Sequence, residues 1–281
     1  MSGTGLNSGG SGGLGGGAGN AGIAGSVGVG GSNNGGTSAM GGISSCGRSA
    51  ADPRSALPCA PVAVQTPFIT DFADWNDVEG RWGGDPNVHV LTGGVYIYNG
   101  SGVGVLSGQV SPANRSWTVS GSVLSYAGFG LWFDVRRPFE GHCPYNCLDA
   151  FAGGCEGVRF TLRASMTAPV PVLDVVLDIW DNRPNNLDLP GGCLYSSEQT
   201  MYTDCVQPFV QIATSPEPVE YRLSFDDFTA GKPLLNGTGE QLVGIHFALP
   251  WVEGMPPFDV AVTVSDFAFV GGTTCVPPTR Q

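Results

Sequence analysis

The sequence predicts an all-β protein, an antiparallel β-sandwich or jelly roll, behind a Gly-rich tail expected to be disordered. Three observations predict it. Short apolar runs alternate with polar residues at a period of two, as in VRFTLRA, where Val158, Phe160 and Leu162 face one way and Arg159, Thr161 and Arg163 the other. Gly, Pro, Asn and Asp punctuate these runs. No window keeps a helical period beyond a turn or two, the best being Leu148–Ala152. Many short strands with polar turns and no helices between them make a two-layer β fold.

Along the chain, residues 1–45 hold 19 Gly and no Asp, Glu, Lys, Arg or Cys. So few large apolar side chains cannot offset the entropy of ordering, and the segment reads as a Gly/Ser/Asn tether. Residues 46–66, CGRSAADPRSALPCAPVAVQT, read as a Pro-rich linker, and the sandwich is expected over 67–281. Its expected strands are Phe68–Phe72, Val88–Tyr98, Ser116–Ser125, Gly128–Asp134, Gly157–Ala164 and Val172–Trp180, then Pro208–Thr214, Val219–Phe225, Gln241–Leu249 and Phe258–Val270.

The net charge of −12 argues against nucleic acid, whose phosphates need clustered Lys and Arg, and against a basic membrane-surface patch. No stretch approaches the ~18–20 continuous apolar residues of a spanning helix, and MSGTGLNSGG lacks the basic and apolar regions of a signal peptide. The eight cysteines nevertheless suit disulfides in an oxidising compartment. The expectation is an extracellular or cell-surface protein whose leader lies outside this sequence. His142, Cys143, Cys147 and Cys155 can be written as a zinc set, but their spacing departs from paired C-x₂-C and disulfides are preferred.

The two ends of the sandwich match. FITDFADW (68–75) and VTVSDFAFV (262–270) each place Asp before Phe in an apolar run. First and last strands of a jelly roll often lie side by side, so Asp71 or Asp74 is expected near Asp266. Facing carboxylates repel unless a hard cation bridges them, which makes a structural Ca²⁺ the candidate metal. The alternative is that these residues are solvent-facing members of alternating strands.

These stretches, with GRWGG (80–84), SYAGFGLWFD (125–134), residues 147–164 and FDVAVTVSDFAFV, resemble the galactose-binding-like jelly-roll domains of bacterial secreted proteins, the fold of many carbohydrate-binding modules. Asp149, Ala150, Phe151 and Gly157 stand for the family's D-A-x-x-x-G turn, interrupted here by Gly153, Gly154 and Cys155. The resemblance covers about residues 67–270. It implies a loop with paired cysteines where Cys193 and Cys205 stand, and that pair is the expected bridge.

Aromatic residues supply the candidate sugar platform, because pyranose C–H faces stack on flat rings while polar side chains bond the hydroxyls. Trp132 and Trp180 alternate with apolar residues and are expected in the core. Tyr96, Tyr98, Tyr195, Tyr202 and Trp251 sit beside Gly, Asn or Pro and are the expected carbohydrate-binding residues. The catalytic signals are weaker. His89, His142 and His246 are scattered, and Asp174 and Asp178 share one strand face, where acids are usually just solvated. Asp181, Asp188, Asp226 and Asp227 lie near loops. The reading is a non-catalytic module that binds a polysaccharide or cell-surface glycan, held by a lipid anchor or in a larger secreted assembly. The alternatives are a structural or adhesive surface protein and a glycan-active hydrolase or lyase with groove carboxylates.

Overall fold

The computed structural model describes residues 59–64, 66–83, 91–99, 105–135, 145–185, 191–197, 200–233, 239–251, 253–273 and 275. The 1–45 tether, linker residues 46–58, His89, His142, Cys143 and Asp188 lie outside the described residues.

Period-two alternation divides each strand between two environments. In Ala127–Val135, Phe129, Leu131 and Phe133 are buried toward the core, whereas Gly128, Gly130 and Trp132 take the opposite face. The same division runs through two sheets. The larger holds β1 (Cys59–Ala63), β3 (Arg81–Trp82), β4 (Leu91–Asn99), β7 (Ala127–Val135), β8 (Tyr145–Asp149), β10 (Val172–Ile179), β11 (Phe209–Ala213) and β13 (Leu242–Ala248). The smaller holds β2 (Phe68–Thr70), β5 (Val105–Ser111), β6 (Ser116–Val123), β9 (Gly157–Met166), β12 (Val219–Ser224) and β14 (Phe258–Val270). Among the described strands all pairings are antiparallel except β1 with β8. The expected jelly-roll sandwich is the architecture found.

Aromatic rings lock the layers together. Phe160 of the smaller sheet meets Phe247 of the larger edge-on at 5.2 Å and stacks on Phe267 at 5.6 Å. Trp117 meets Phe129 across the same gap at 5.3 Å. These side chains are at most 1% exposed, and burying each contributes about 1.5–3 kcal/mol. The expected meeting of the FITDFADW and VTVSDFAFV strands is present: Phe267 pairs with Thr70 and Ala268 with Phe68.

Four strands lie outside the expected set. β5 (VLSGQVS) is too polar to read as a strand, β3 spans two residues, and β8 begins only at Tyr145. β1 lies inside the expected linker, so the sandwich begins before Pro67. Its CAPVA tolerates Pro61 because the strand is at a sheet edge. Leu148–Ala152 is not helical: it ends β8 and turns, and among the described residues the α-helix is the single turn Met201–Asp204, α1. No described helix is long and apolar enough to cross a membrane.

Three disulfides link described residues. Cys59–Cys147 joins β1 to β8, Cys155–Cys275 ties the segment after β14 to the approach to β9, and Cys193–Cys205 closes the expected loop. Cys147 and Cys155 are therefore disulfide partners, not zinc ligands.

Candidate binding face

Strand register assembles the outer face of the larger sheet. One row crosses it as Tyr96, Gly130, His246, Val176 and Phe209, from β4 to β11. The next runs Tyr98, Gly128, Ala248, Asp174 and Gln211. A third runs Gly94, Trp132, Gly244 and Asp178. Residues from five strands, distant in sequence, thus share one surface.

The glycines in these rows make room for rings. A Cβ at Gly130 would stand 2.8 Å from Cζ of Tyr96, and one at Gly94 would stand 2.7 Å from the Trp132 indole. Tyr96 and Tyr98 stack with centroids 6.4 Å apart, and Tyr98 also meets Tyr126 at 6.5 Å and the His246 edge at 5.9 Å. The Arg81 guanidinium lies 5.6 Å over the Trp132 ring.

Asp178 is the polar centre of this face. Its Oδ2 accepts from the Tyr96 hydroxyl at 3.1 Å, and Oδ1 lies 3.0 Å from Nδ1 of His246. Burial pushes the Asp178 carboxyl up, but the charge and hydrogen bond of His246, then Arg183 and the Tyr96 hydroxyl, outweigh it and hold the group below its usual value. Burial first, and then the Asp178 charge, raise the Tyr96 and Tyr98 phenols well above theirs. A carboxylate only accepts, so the shared proton belongs to Nδ1 of His246. Beside this centre, Asp174 accepts from the Gln211 amide at 3.0 Å.

Loops hold the end of β10. Gln207 bonds both the N–H and the carbonyl of Ile179, at 2.8 and 3.2 Å. Trp180–Asn182 form a 3₁₀ turn, and the Cys193 N–H donates to the Arg183 carbonyl at 3.0 Å. The disulfide loop is thereby fastened to the segment that carries Arg183.

The expected site residues separate. Tyr96 and Tyr98 come together, but Tyr98 is only 8% exposed, a correction to its expected exposure: it lies over Gly128 and between Tyr96, Tyr126 and His246. Tyr195 and Tyr202 ride on the Cys193–Cys205 loop, Tyr195 half-buried and Tyr202 exposed. Trp251 follows β13 and packs half-buried against the core. Trp132, expected in the core, is half-buried on the outer face, because it shares the parity of Gly128 and Gly130. Trp180 is buried as expected. Asp178 is not a solvated strand acid but a buried, paired one, and its partner His246 has no sequence signal beyond its place in the alternation of β13.

The acids at the joined ends have protein partners. Asp71 pairs with Arg115 at 3.3 Å and accepts from the Ala73 N–H; Asp74 accepts from the Gly83 N–H at 2.9 Å; Asp266 accepts from the Ser265 hydroxyl. Asp266 sits at φ +63° in a bulge of β14. Among the described residues no group of three or more His, Cys, Asp or Glu is placed to hold a metal ion. Of the loop acids, Asp227 accepts from the Ser224 N–H in a capping box.

No protein-family model matches the chain, and no curated protein matches it by sequence. Among solved structures it is similar to the family 11 carbohydrate-binding module of a cellulosomal cellulase of Clostridium thermocellum, at 12% identity and a TM-score of 0.37, over 69% of this chain and 95% of that one. It is similar also to the Clostridium thermocellum family 11 module in complex with a β-1,3-1,4-mixed-linked tetrasaccharide, at 11% identity and a TM-score of 0.37, over 63% and 89%. The strand pairing described above defines the fold independently of these likenesses.

Proposed function

We propose that the outer face of the larger sheet binds a polysaccharide or cell-surface glycan, and that the chain is a non-catalytic carbohydrate-binding module. One observation carries this reading: the rings of Tyr96, Tyr98 and Trp132 share a face with Asp174, Asp178, Gln211 and His246. Rings stack on the apolar C–H faces of sugars, and the polar groups meet their hydroxyls. Three disulfides support export to an oxidising compartment. There the Gly-rich segment 1–45 would serve as a tether for the sandwich domain.

A polysaccharide pull-down and a glycan array test it, with mixed-linkage β-1,3-1,4-glucan as the first probe. The expected result is retention without release of reducing ends, lost in Tyr96→Ala and Trp132→Ala. Retention with release of reducing ends would make the chain an enzyme. Retention of no glycan would leave the structural or adhesive reading.

A further inference from the structure

We infer that Asp178 is a positioning residue of this face, fixing His246 so that Nε2 presents a lone pair to a ligand hydroxyl. The inference rests on the carbohydrate reading of the face and names the atom that would read the ligand. Asp178 and His246 are 8% and 9% exposed, on neighbouring strands. The 3.0 Å contact uses Nδ1. In its neutral form the imidazole carries one N–H, and the carboxylate takes it, so in that form Nε2 is left as an acceptor, whereas the imidazolium would donate from both nitrogens. Nε2 has no hydrogen-bond partner among the described residues, and 11% of the His246 side chain stays accessible. The Tyr96 hydroxyl occupies the second Asp178 oxygen at 3.1 Å, which holds the carboxylate and the neighbouring ring in one arrangement. Tyr98 closes over the imidazole edge-on at 5.9 Å, so the ring cannot turn without moving the aromatic pair. The result is one directed acceptor among flat apolar surfaces, suited to a sugar hydroxyl that donates.

Two measurements test it. The first needs no ligand: long-range ¹⁵N–¹H correlation spectra of the imidazole should place the His246 proton on Nδ1. In Asp178→Asn the amide N–H₂ donates to Nδ1, and the proton should move to Nε2. A wild-type proton on Nε2, alone or together with one on Nδ1, would overturn the inference. The second is calorimetric titration with a β-1,3-1,4-linked glucotetraose. In His246→Asn the amide keeps a donor for Asp178 but has no atom at Nε2. This variant should keep the wild-type melting temperature and weaken binding about tenfold, the worth of one good hydrogen bond. Asp178→Asn should weaken binding similarly, and the double variant no further. If Tyr96→Ala and Trp132→Ala lose binding while Asp178→Asn and His246→Asn keep it, the inference fails and the face reading stands. If the wild type binds neither this probe nor any polysaccharide of the array, both fail.

Discussion

Tyr98 of β4 lies across Gly128 of β7 so closely that a methyl group on the glycine would strike both the phenol ring and the Phe247 carbonyl. Ring and glycine are register partners, so the missing side chain of one is the seat of the other. Gly128→Ala should therefore cost about 1–3 kcal/mol, the usual range for overpacking. Urea unfolding measures this, and near-ultraviolet circular dichroism should report the displaced tyrosine.

Two tryptophans should respond oppositely. Trp132 is half-buried on the outer face, and Trp132→Ala should weaken glycan binding by about 1–3 kcal/mol with a smaller loss of stability. Trp180 is 3% exposed, and Trp180→Ala should cost about 3–5 kcal/mol of stability. Parallel denaturation and titration of the two variants separate the effects.

Acid and alkali should act through the same cluster. Asp178 is held below its usual value, so the unfolded chain takes up this proton first as pH falls. Its contribution is present above the unfolded value of about 4 and is lost as pH drops through the folded one. Asp178→Asn should flatten that acid limb in a melting-temperature profile. Tyr96 and Tyr98 are raised, so their contribution holds below the unfolded value of about 10 and is lost as pH climbs beyond it. Phenolate absorbance in the near ultraviolet should show these two ionising only with unfolding.

The three disulfides should differ in worth. Cys193–Cys205 spans 12 residues, Cys59–Cys147 spans 88 and Cys155–Cys275 spans 120. Chain entropy assigns about 3 kcal/mol to the shortest and roughly 4.5–5 kcal/mol to the others. Removing Cys155–Cys275 by paired Ala substitution should lower stability more than removing Cys193–Cys205. Peptide mapping under non-reducing conditions checks all three pairings.

The alternation in VRFTLRA, in EYRLSF and in FDVAVTVSDFAFV determines the layers on its own terms. A period of two assigns every second residue to the core, wherever the strand finds its partners. The matched apolar runs at the two ends likewise announce a pair of neighbouring strands, and β14 lies beside β2. Polar or very short strands escape this reading, because β1, β3 and β5 are specified by pairing more than by burial.

The candidate site is less legible. Tyr96 and Tyr98 stand out from their own neighbours in sequence, but an apolar context puts Trp132 on the wrong face, and His246 reads as one of three scattered histidines. Alternation separates Trp132 from Leu131 and Phe133, yet which set is the core is settled only when Gly128 and Gly130 fix the parity of the whole strand. The meeting of Asp178 with His246 depends on the register of β10 against β13, a long-range pairing with no local signal. Local chemistry chose the faces of the strands; tertiary packing chose which residues met on them, because register is set by the fit of the buried side and merely inherited by the outer one.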